Sequence, residues 1–402
     1  MADIRKQKFY TVETSAAKAN AGELERKIRI HRKKIAASIA AAAITITVIV
    51  ITAGLYYNFK EYQSFEIRSQ IERNDSKATK YESFAGNILR YNNDGAFYLD
   101  TSDNPIWNQA FEMQEPVVDI HKNYMAVADL YGNQIYIMDN TGTQGSIKTT
   151  KPIEAISIAS QGTIAVLAQQ DGVSYLELYN KNGENLASGQ IRVTNSGYPL
   201  DIALSEDATK LAVSILDISK GTAQTTVSFY NFSSVGQNEI DNMVGSYTYA
   251  DTVVPEVAFT SNSRLIAFGD NKVILFEGMQ KPEEKLAIEL EKEVKSIFYD
   301  NDYFGLVYSK GDSADSHQIQ VYSMDGELHL EQDFTMPYQK IEFLDNHEIC
   351  IRDEFQCTIY TLRGVKKFTY KFDNALYKIF SGKTGRRYTF ILDGVMEQVK
   401  LK

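Results

Sequence analysis

A short phrase of alternating apolar and polar residues, ending in a turn, recurs along this chain of 402 residues. The phrase "QIYIMDNTG" (134–142) returns nearly unchanged as "YLELYNKNG" (175–183) and "IQVYSMDG" (319–326). Alternation with period two is typical of a β-strand that has one buried face. The repeat therefore restricts the chain to an architecture built from many copies of one β unit.

The spacing of the phrase indicates which repeat architecture this is. The residues that precede the turn are separated by 39, 41, 51, 46, 46 and 38 residues, and in chain order they are Leu99, Met138, Tyr179, Tyr230, Phe276, Tyr322 and Tyr360. A period of about 40 residues with about four strands per unit is typical of a β-propeller and not of a sandwich.

Each unit also contains two apolar runs around a polar turn, as in "PEVAFTSNSRLIAFGD". We interpret these runs as the inner strands A and B, the repeated phrase as strand C, and a weaker run after it as strand D. The runs after Tyr360 give only three strands of an eighth unit, and "YQSFEIRSQ" (62–70) could supply the fourth and close the ring. We predict an all-β, eight-bladed propeller of four-stranded blades over residues 79–402, with a seven-bladed ring as the alternative. The juxtamembrane segment 58–78 would then hold the closing strand or form a flexible stalk.

An uncharged segment of 23 residues, Ile35 to Tyr57, precedes the repeats. At about 1.5 Å per residue, a helix of this length crosses a hydrocarbon core of roughly 30 Å. Six Lys and Arg residues lie between Arg26 and Lys34, before the segment. The positive-inside rule then places a basic tail (1–34) in the cytoplasm, a transmembrane helix at 35–57 and the propeller outside. A cleaved signal peptide is the alternative, but the apolar segment is longer than such peptides usually have.

The basic tail carries two further predictions. Asn20 followed by Glu23 resembles a capping pattern, which predicts a helix from about residue 21 that continues into the span. The tail has a net charge of +6, whereas the rest of the chain has −16, from 32 basic and 48 acidic residues. An acidic body of this kind argues against a nucleic acid as its partner, because phosphate binding needs clustered Lys and Arg.

Sequence motifs for catalysis or cofactor binding are missing. The five His residues lack metal-ligand spacing, and there is no Cys-x-x-Cys or Gly-x-Ser-x-Gly motif. The stretch "SGKTG" (381–385) is not a P-loop, because Tyr377 stands where the motif needs a Gly. We therefore predict no metal and no cofactor.

Two carboxylates are candidates for a role in the channel of the ring. Asp119 and Asp201 lie in strands A, near the axis, and a glycosidase needs two carboxylates about 5–10 Å apart. The alternative is that both residues cap the entry of a blade.

Long loops between strands B and C are the better candidates for binding, because loops on a rigid scaffold often bind ligands. The two loops 217–224 and 310–317 would decorate one rim, with the candidate residues Asp217, Lys220, Asp312, Asp315 and His317. The 51-residue separation comes from an insertion at 233–251, which would lie on the opposite face if its first half joins strand C to strand D.

The two cysteines, Cys350 and Cys357, flank a short turn that we place at Asp353–Glu354. Counting back from this turn pairs the cysteines directly, within the Cα distance of a disulfide. We predict a local cross-strand disulfide without redox function, and two free apolar residues are the alternative.

The segments "NNDGAFYLDTSDNPIWNQAF" and "SGYPLDIALSEDATKLAVSIL" resemble a family of single-pass, membrane-anchored propeller proteins of unknown function from Gram-positive bacteria. The resemblance covers most of residues 60–402 and implies the fold and the topology but no reaction. The first segment also resembles, more weakly, the Trp-containing repeat of quinoprotein-type propellers and of outer-membrane assembly scaffolds. Trp107 is the only Trp, so the repeated tryptophans that would dock a quinone are missing.

A repeat fold without catalytic motifs favours a non-enzymatic scaffold at the cell envelope that docks a protein or glycan partner. One alternative is a hydrolase or lyase of cell-wall carbohydrate that uses the channel carboxylates. The other is a ligand sensor that signals to the cytoplasmic tail, although Gly54 is the only Gly in the span and no GxxxG motif supports dimerisation.

Overall fold

The computed structural model of the chain describes residues 15–219, 221–311 and 313–402. Lys220 and Asp312, which the sequence analysis named as binding candidates, lie outside these residues. The chain divides into two compact units, one that ends at Lys60 and one that runs from Glu61 to Lys402.

The described residues of the first unit form one long helix, α1 (Ser15–Phe59). Within it, Glu23–Tyr56 is long and apolar enough to cross a membrane, and an N-terminal signal sequence has the same properties. The hydroxyls of Thr45, Thr47 and Thr52 each donate to the carbonyl four residues earlier, at 2.7–2.9 Å, so they need no water. The helix already contains Asn20, so the prediction that it begins near residue 21 was wrong.

The described residues of the second unit form eight four-stranded antiparallel sheets, which are the blades of a β-propeller. This confirms the predicted fold with eight blades and not seven. Blades one to four follow in chain order, with strands A to D of each blade as follows: β2 (Lys80–Phe84), β3 (Asn87–Asn92), β4 (Gly95–Leu99), β5 (Pro105–Ala110); β6 (Pro116–His121), β7 (Tyr124–Asp129), β8 (Gln134–Asp139), β9 (Gly142–Lys148); β10 (Ile153–Ile158), β11 (Ile164–Gln170), β12 (Val173–Tyr179), β13 (Asn185–Arg192); β14 (Tyr198–Leu204), β15 (Lys210–Asp217), β16 (Gln224–Asn231), β17 (Met243–Ala250).

Blades five to seven repeat the pattern: β18 (Glu256–Ser261), β19 (Arg264–Phe268), β20 (Lys272–Glu277), β21 (Glu283–Glu289); β22 (Val294–Tyr299), β23 (Tyr303–Ser309), β24 (Ser316–Ser323), β25 (Leu328–Thr335); β26 (Lys340–Phe343), β27 (Ile349–Arg352), β28 (Gln356–Tyr360), β29 (Lys366–Lys371). A short helix, α2 (Val193–Ser196), joins blades three and four, and two 3₁₀ turns (Gly236–Asn238 and Ile240–Asn242) lie between β16 and β17.

Blade eight combines strands from both ends of the propeller. Its first three strands are β30 (Leu376–Ser381), β31 (Arg387–Leu392) and β32 (Val395–Leu401), and its fourth is β1 (Phe65–Glu72), which pairs antiparallel with β32. The strand that we sought at 62–70 therefore runs from Phe65 to Glu72 and closes the ring. Closure in this way covers an edge of β32 that would otherwise be open to pairing with another chain.

The repeated phrase marks the place where strands C and D are out of step by one residue. In blade seven, Ile359 pairs with Phe368 but the next residue, Tyr360, pairs with Lys366, which leaves Lys367 as the extra residue of a β-bulge. The same step occurs in every blade, and the extra residues are Arg68, Ile106, Gln144, Leu186, Val244, Lys285, His329 and Lys367. Bulges of this kind re-aim a side chain, so each blade presents one strand-D residue in a special direction.

The turn that follows the phrase is held by the side chain before it. The Asp139 carboxylate accepts a hydrogen bond from the backbone N–H of Thr141 at 2.7 Å, and Asn180 accepts one from Asn182 at 3.0 Å. The glycines that end these two turns, Gly142 and Gly183, have φ of 128° and 84°, a region that other residues rarely adopt. The composition of the phrase thus follows from turn geometry.

The core lies between neighbouring blades. One cluster joins Leu89 and Tyr98 of blade one to Met125 and Met138 of blade two, and similar clusters fill other seams. Strands B are buried almost throughout, as in β11, whereas strands D such as β13 are mostly exposed. Each blade is therefore stabilised by its two neighbours, which is why the ring must close.

Candidate functional site

Strands A of successive blades contact each other around the centre of the ring and line a channel. Because consecutive strands are antiparallel, the A–B and C–D turns lie on one face, and the B–C loops lie on the other. We call these the A–B face and the B–C face.

One side of the channel holds the two carboxylates that sequence analysis selected. Asp119 of β6 accepts a hydrogen bond from the backbone N–H of Ile158 in the next blade at 2.6 Å, and Asp201 of β14 accepts one from Val257 at 2.9 Å. Both residues line the same cavity of about 460 Å³. The carboxylates therefore join strand A of one blade to strand A of the next.

Burial raises the pKa of both groups, because little water reaches them to solvate the charged form. The pKa of Asp119 rises to about 6 and that of Asp201 to about 7, while the backbone hydrogen bonds oppose the shift. The charges of Glu256 and Asp119 raise the pKa of Asp201 further. Carboxyl groups with such values can hold a proton near neutral pH, as a general acid must.

The other side of the channel is built around a buried lysine. Lys378 of blade eight donates to Glu342 of blade seven at 2.8 Å and to Glu82 of blade one at 2.9 Å. Arg352 lies 3.7 Å from Glu342, and the group borders a second cavity of about 400 Å³. Burial alone would lower the pKa of Lys378, but the two carboxylates outweigh it and raise that pKa. Lys378 thus stays charged and ties three blades together across the seam where the ring closes.

The described binding candidates on the B–C face, Asp217, Asp315 and His317, have different surroundings. Asp217 ends β15 and accepts a hydrogen bond from the backbone N–H of Ser219 at 2.8 Å, and Asp315 is exposed in the loop between β23 and β24. His317, which we expected in that loop, lies within β24 and is 7% exposed. It packs against the rings of Phe334 and Tyr338, each 4.9 Å away between centroids.

The position of His317 follows from the length of the strand. We counted the loop as 310–317, but β24 begins at Ser316, so the last two residues of that stretch are already paired. Burial lowers the pKa of His317, which favours the neutral ring. His317 is therefore part of the aromatic packing with Phe334 and Tyr338, and only a small part of it is exposed at the rim.

The predicted pairing of Cys350 with Cys357 is wrong. Cys350 pairs with Ile359, and Cys357 pairs with Arg352, so the cysteines are offset by two residues along the strands. Both thiols are free and fully buried in the structure.

The error in the cysteine register comes from the turn between β27 and β28. The Asp353 carboxylate accepts hydrogen bonds from the backbone N–H groups of Phe355 and Gln356, at 2.7 and 2.6 Å. Asp353 therefore precedes the turn and does not form part of it, which moves the centre of the turn from Asp353–Glu354 to Glu354–Phe355. A shift of this size changes every cross-strand pair.

A cluster of possible metal ligands, which the sequence patterns did not predict as a site, lies on the A–B face. Asp300, Asp302 and His347 place one ligand atom each within 4.8 Å of one another. Nδ1 of His347 is 2.6 Å from Asp300, and its Nε2 is 3.6 Å from Asp302. The residues come from A–B turns of neighbouring blades, so spacing along the sequence could not reveal them. These three are the residues most able to hold a cation among the described positions.

An exposed apolar patch is the second feature that sequence analysis did not find. It lies on the A–B face, where the insertion of blade four meets the C–D turn of blade five. Ile240 is 86% exposed, Met279 61% and Met243 39%. We call these three residues the docking patch.

The family model of a family of unknown function, DUF5711, matches residues 58–401. The chain belongs to the DUF5711 family. The match spans the whole propeller, which agrees with the sequence resemblance over residues 60–402. Membership in DUF5711 brings a shared fold but no assigned activity.

Solved structures similar to this DUF5711 member share little sequence with it. Sqt1 from Chaetomium thermophilum has a TM-score of 0.51 at 14% identity, over 86% of this chain and 98% of that one. A eukaryotic initiation factor has a TM-score of 0.50 at 13% identity, over 83% of this chain and 84% of that one. BamB from Moraxella catarrhalis has a TM-score of 0.48 at 15% identity, over 84% of this chain and 100% of that one. No curated protein matches the chain. At these identities, the likeness to Sqt1 and the initiation factor concerns the fold alone.

Proposed function

We propose that this protein is a membrane-anchored propeller that docks another protein of the cell envelope and performs no chemistry itself. The observation that carries the proposal is the docking patch, in which Ile240 is 86% exposed. Exposed apolar side chains grouped in this way are typical of surfaces that bind other proteins. Met243 and Met279 support this function because methionine adapts its shape to a partner.

The loop that carries Ile240 makes polar contacts with the C–D turn of blade five. Asp241 and Asn242 have φ of 55° and 59°, a left-handed conformation that costs free energy in residues other than Gly. The adjacent Glu239 forms an ion pair of 2.5 Å with Lys281 of blade five. Asn231 donates to the carbonyl of Gln280 at 2.8 Å. A preformed loop loses little entropy on binding, which favours docking without rearrangement.

The sequence supports an extracytoplasmic position for the propeller. The cluster of Lys and Arg from Arg26 to Lys34 precedes the apolar part of α1, and such clusters stay in the cytoplasm. The propeller would then be held at the outer surface of the membrane, and its partner would be an extracytoplasmic protein.

The channel also favours a scaffold over an enzyme. Asp119 and Asp201 each have one carboxylate oxygen occupied by a backbone N–H of the next blade. Lys378 is committed to two carboxylates. The conspicuous charged groups of the channel thus serve to join blades.

Site-specific photo-crosslinking in cells tests the proposal. A photoreactive amino acid replaces Ile240 in one variant of the full chain and Ile218 in a matched control. Ile218 is 56% exposed, in the B–C loop of the same blade, and so lies on the opposite face. We expect a defined crosslinked protein at position 240 that is absent at position 218, and that is lost when Met279 is changed to Glu. A product at position 218 alone would move the docking site to the B–C face, and no product at either position would contradict the proposal.

A second candidate function is hydrolysis of envelope carbohydrate, and one observation favours it. Asp119 and Asp201 line one cavity, and their pKa values are raised to about 6 and about 7, as a general acid requires. Asp119→Asn and Asp201→Asn variants of the full chain should then lose activity on wall glycans while staying folded. Unchanged activity in both variants would exclude these carboxylates as catalysts.

A further inference from the structure

A cleft at the seam between blade eight and blade one is lined by three cationic side chains. Its volume is about 610 Å³, and it contains Arg68, Lys383 and Arg387. Lys383 belongs to the "SGKTG" turn between β30 and β31. The sequence analysis excluded a P-loop at this turn. The cleft opens at the A–B turns of both blades.

The bulge in blade eight determines the position of Arg68. Arg68 is the extra residue between Ile67 and Ser69 in the pairing of β1 with β32. Lys367 is the corresponding extra residue in blade seven. The bulge therefore directs a cationic side chain toward the seam between blades seven and eight and toward the seam between blades eight and one. The two seams can be compared position by position.

In the seam between blades seven and eight, the cation is neutralised. Lys367 forms an ion pair with Glu348, and both side chains are about 10% exposed. The hydroxyl of Tyr388, from blade eight, donates to the other oxygen of Glu348. In this seam the charges of Lys367 and Glu348 therefore neutralise each other.

In the seam between blades eight and one, the position of Glu348 is taken by a second cation. Glu348 immediately precedes Ile349, the strand-B residue that pairs with Tyr360 at the bulge. The equivalent strand-B residue in blade eight is Tyr388, which pairs with Val399 at its bulge.

The residue immediately before Tyr388 is Arg387. Arg68 and Arg387 are thus the counterparts of Lys367 and Glu348, with the negative charge replaced by a positive one. Two like charges on one cleft disfavour each other unless an anion lies between them.

Acidic groups near the cleft do not cancel its charge. Arg68 contacts Glu66 at 3.1 Å, but both side chains are substantially exposed, and such pairs contribute little. Asp345 lines the edge and accepts a hydrogen bond from Ser83 at 2.9 Å. Among the described residues, Lys383 and Arg387 form no ion pair. The cleft therefore carries net positive charge on a propeller that is acidic overall.

We propose that this cleft binds the phosphate group of a phosphorylated sugar or polyol. Arginine presents paired N–H donors that match the oxygens of a phosphate, and two arginines with one lysine can balance its double negative charge. Asn87, Thr389 and Gln398 also line the cleft. The amide nitrogens of Asn87 and Gln398 donate to Tyr98 and to the Thr101 carbonyl, so it is their amide oxygens and the Thr389 hydroxyl that can bond to hydroxyl groups of the ligand. The proposal is independent of protein docking, because the docking patch belongs to blades four and five.

Isothermal titration calorimetry on the full chain, in an uncharged detergent at low ionic strength, tests the proposal. The probes are inorganic phosphate and glycerol 3-phosphate, with glycerol and sodium chloride as reference solutes. We expect saturable binding of both phosphates, tighter for glycerol 3-phosphate, and none of glycerol. Arg387→Glu should reduce the affinity by about tenfold or more, because it recreates the neutralised pair of the neighbouring seam.

Two variants separate a lost site from a lost fold. Arg387→Glu should unfold at the same or a higher temperature than the natural chain, because its new carboxylate can pair with Arg68. Arg68→Gln should also lose phosphate binding, whereas Lys371→Gln, which removes an exposed lysine outside the cleft, should keep it. The proposal is overturned if the natural chain does not bind phosphate, if sodium chloride has an equal effect, or if both cleft variants bind normally.

Discussion

The carboxylate of Asp201 in blade four accepts a hydrogen bond of 2.9 Å from the backbone N–H of Val257 in blade five. Asp119 makes the equivalent bond to Ile158 across the interface between blades two and three, and Ser157 accepts one of 2.9 Å from Leu204 between blades three and four. The bonds all run from one strand A to the next. Side chains in the channel thus continue hydrogen bonding between blades, where the sheets themselves do not pair.

The raised pKa of Asp201 predicts a specific dependence of stability on pH. Its pKa moves from 3.8 to about 7 on folding, so the unfolded chain ionises first as pH rises. Its contribution to the free energy of unfolding therefore falls between about pH 4 and pH 7, by on the order of 4 kcal/mol. Asp201→Asn keeps an oxygen that can accept the N–H of Val257 but cannot ionise. We expect this variant to gain stability relative to the natural chain as pH rises through this range.

Urea unfolding of the full chain at several pH values measures this difference. The corresponding variant of Asp119 provides an internal control, because its pKa rises only to about 6. Its gain should level off about one pH unit earlier. Parallel pH profiles for the natural chain and Asp201→Asn would contradict the role of burial at this position.

The bridge formed by Lys378 predicts a large effect of removing one charge. In Lys378→Met, the buried Glu342 loses the partner that keeps its pKa low. Breaking a buried pair on one side costs about 3–5 kcal/mol. Arg352, 3.7 Å from Glu342, still compensates part of the remaining charge, which places the expected cost at the lower end of this range. We expect urea unfolding to show a loss of this size.

Two further variants give this prediction its controls. Adding Glu342→Gln to Lys378→Met should recover part of the lost stability, since it removes the uncompensated charge. Lys272→Met removes the lysine of an exposed pair with Glu289 and should cost less than about 1 kcal/mol. Equal losses at Lys378 and Lys272 would refute a special role for the buried bridge.

The fold was predictable because its signal is repeated in every unit. The residue before the turn, from Leu99 to Tyr360, lies at the end of strand C or one residue before it in blades one to seven, and its spacing predicted the propeller. Asp119 and Asp201 also stood out, because a carboxylate within an apolar strand A must find a donor. Pairing between strands was harder to predict, since the hydrogen bonds of one side chain can decide it. The carboxylate of Asp353 moved a turn by one residue and thereby separated Cys350 from Cys357.

The docking patch and the cationic cleft could not be predicted from patterns along the chain. Met279 and Ile240 are 39 residues apart in sequence and share a surface only because C–D turns of neighbouring blades lie side by side. Arg68 and Arg387 line one cleft only because the ring closes with β1. The bulge that directs Arg68 is visible in the pairing of the strands and has no signature of its own in the sequence.

The buried cysteines predict a chemical test. Burial raises the pKa of the Cys350 thiol to about 12 and that of Cys357 well above its usual range. Both thiols should therefore remain protonated, and alkylating reagents react with the thiolate. We expect no alkylation of the folded full chain at pH 8 and alkylation of both residues in denaturant without reductant. Intact mass spectrometry reports both results, and a need for reductant would restore the disulfide hypothesis.

The last prediction concerns the residue that anchors the closing strand. Phe65, at the start of β1, places its ring 5.2 Å from Phe390 of blade eight and 4.8 Å from Tyr370 of blade seven. Removing such a ring leaves a cavity in a seam, so Phe65→Ala should cost about 3 kcal/mol. Because β1 covers the edge of β32, the loss should also speed hydrogen exchange of the β32 amides. Ile67→Ala, an exposed position on the same strand, is the matched control and should leave both measurements nearly unchanged. Unaltered exchange in β32 of the Phe65→Ala variant would mean that backbone pairing alone holds the ring closed.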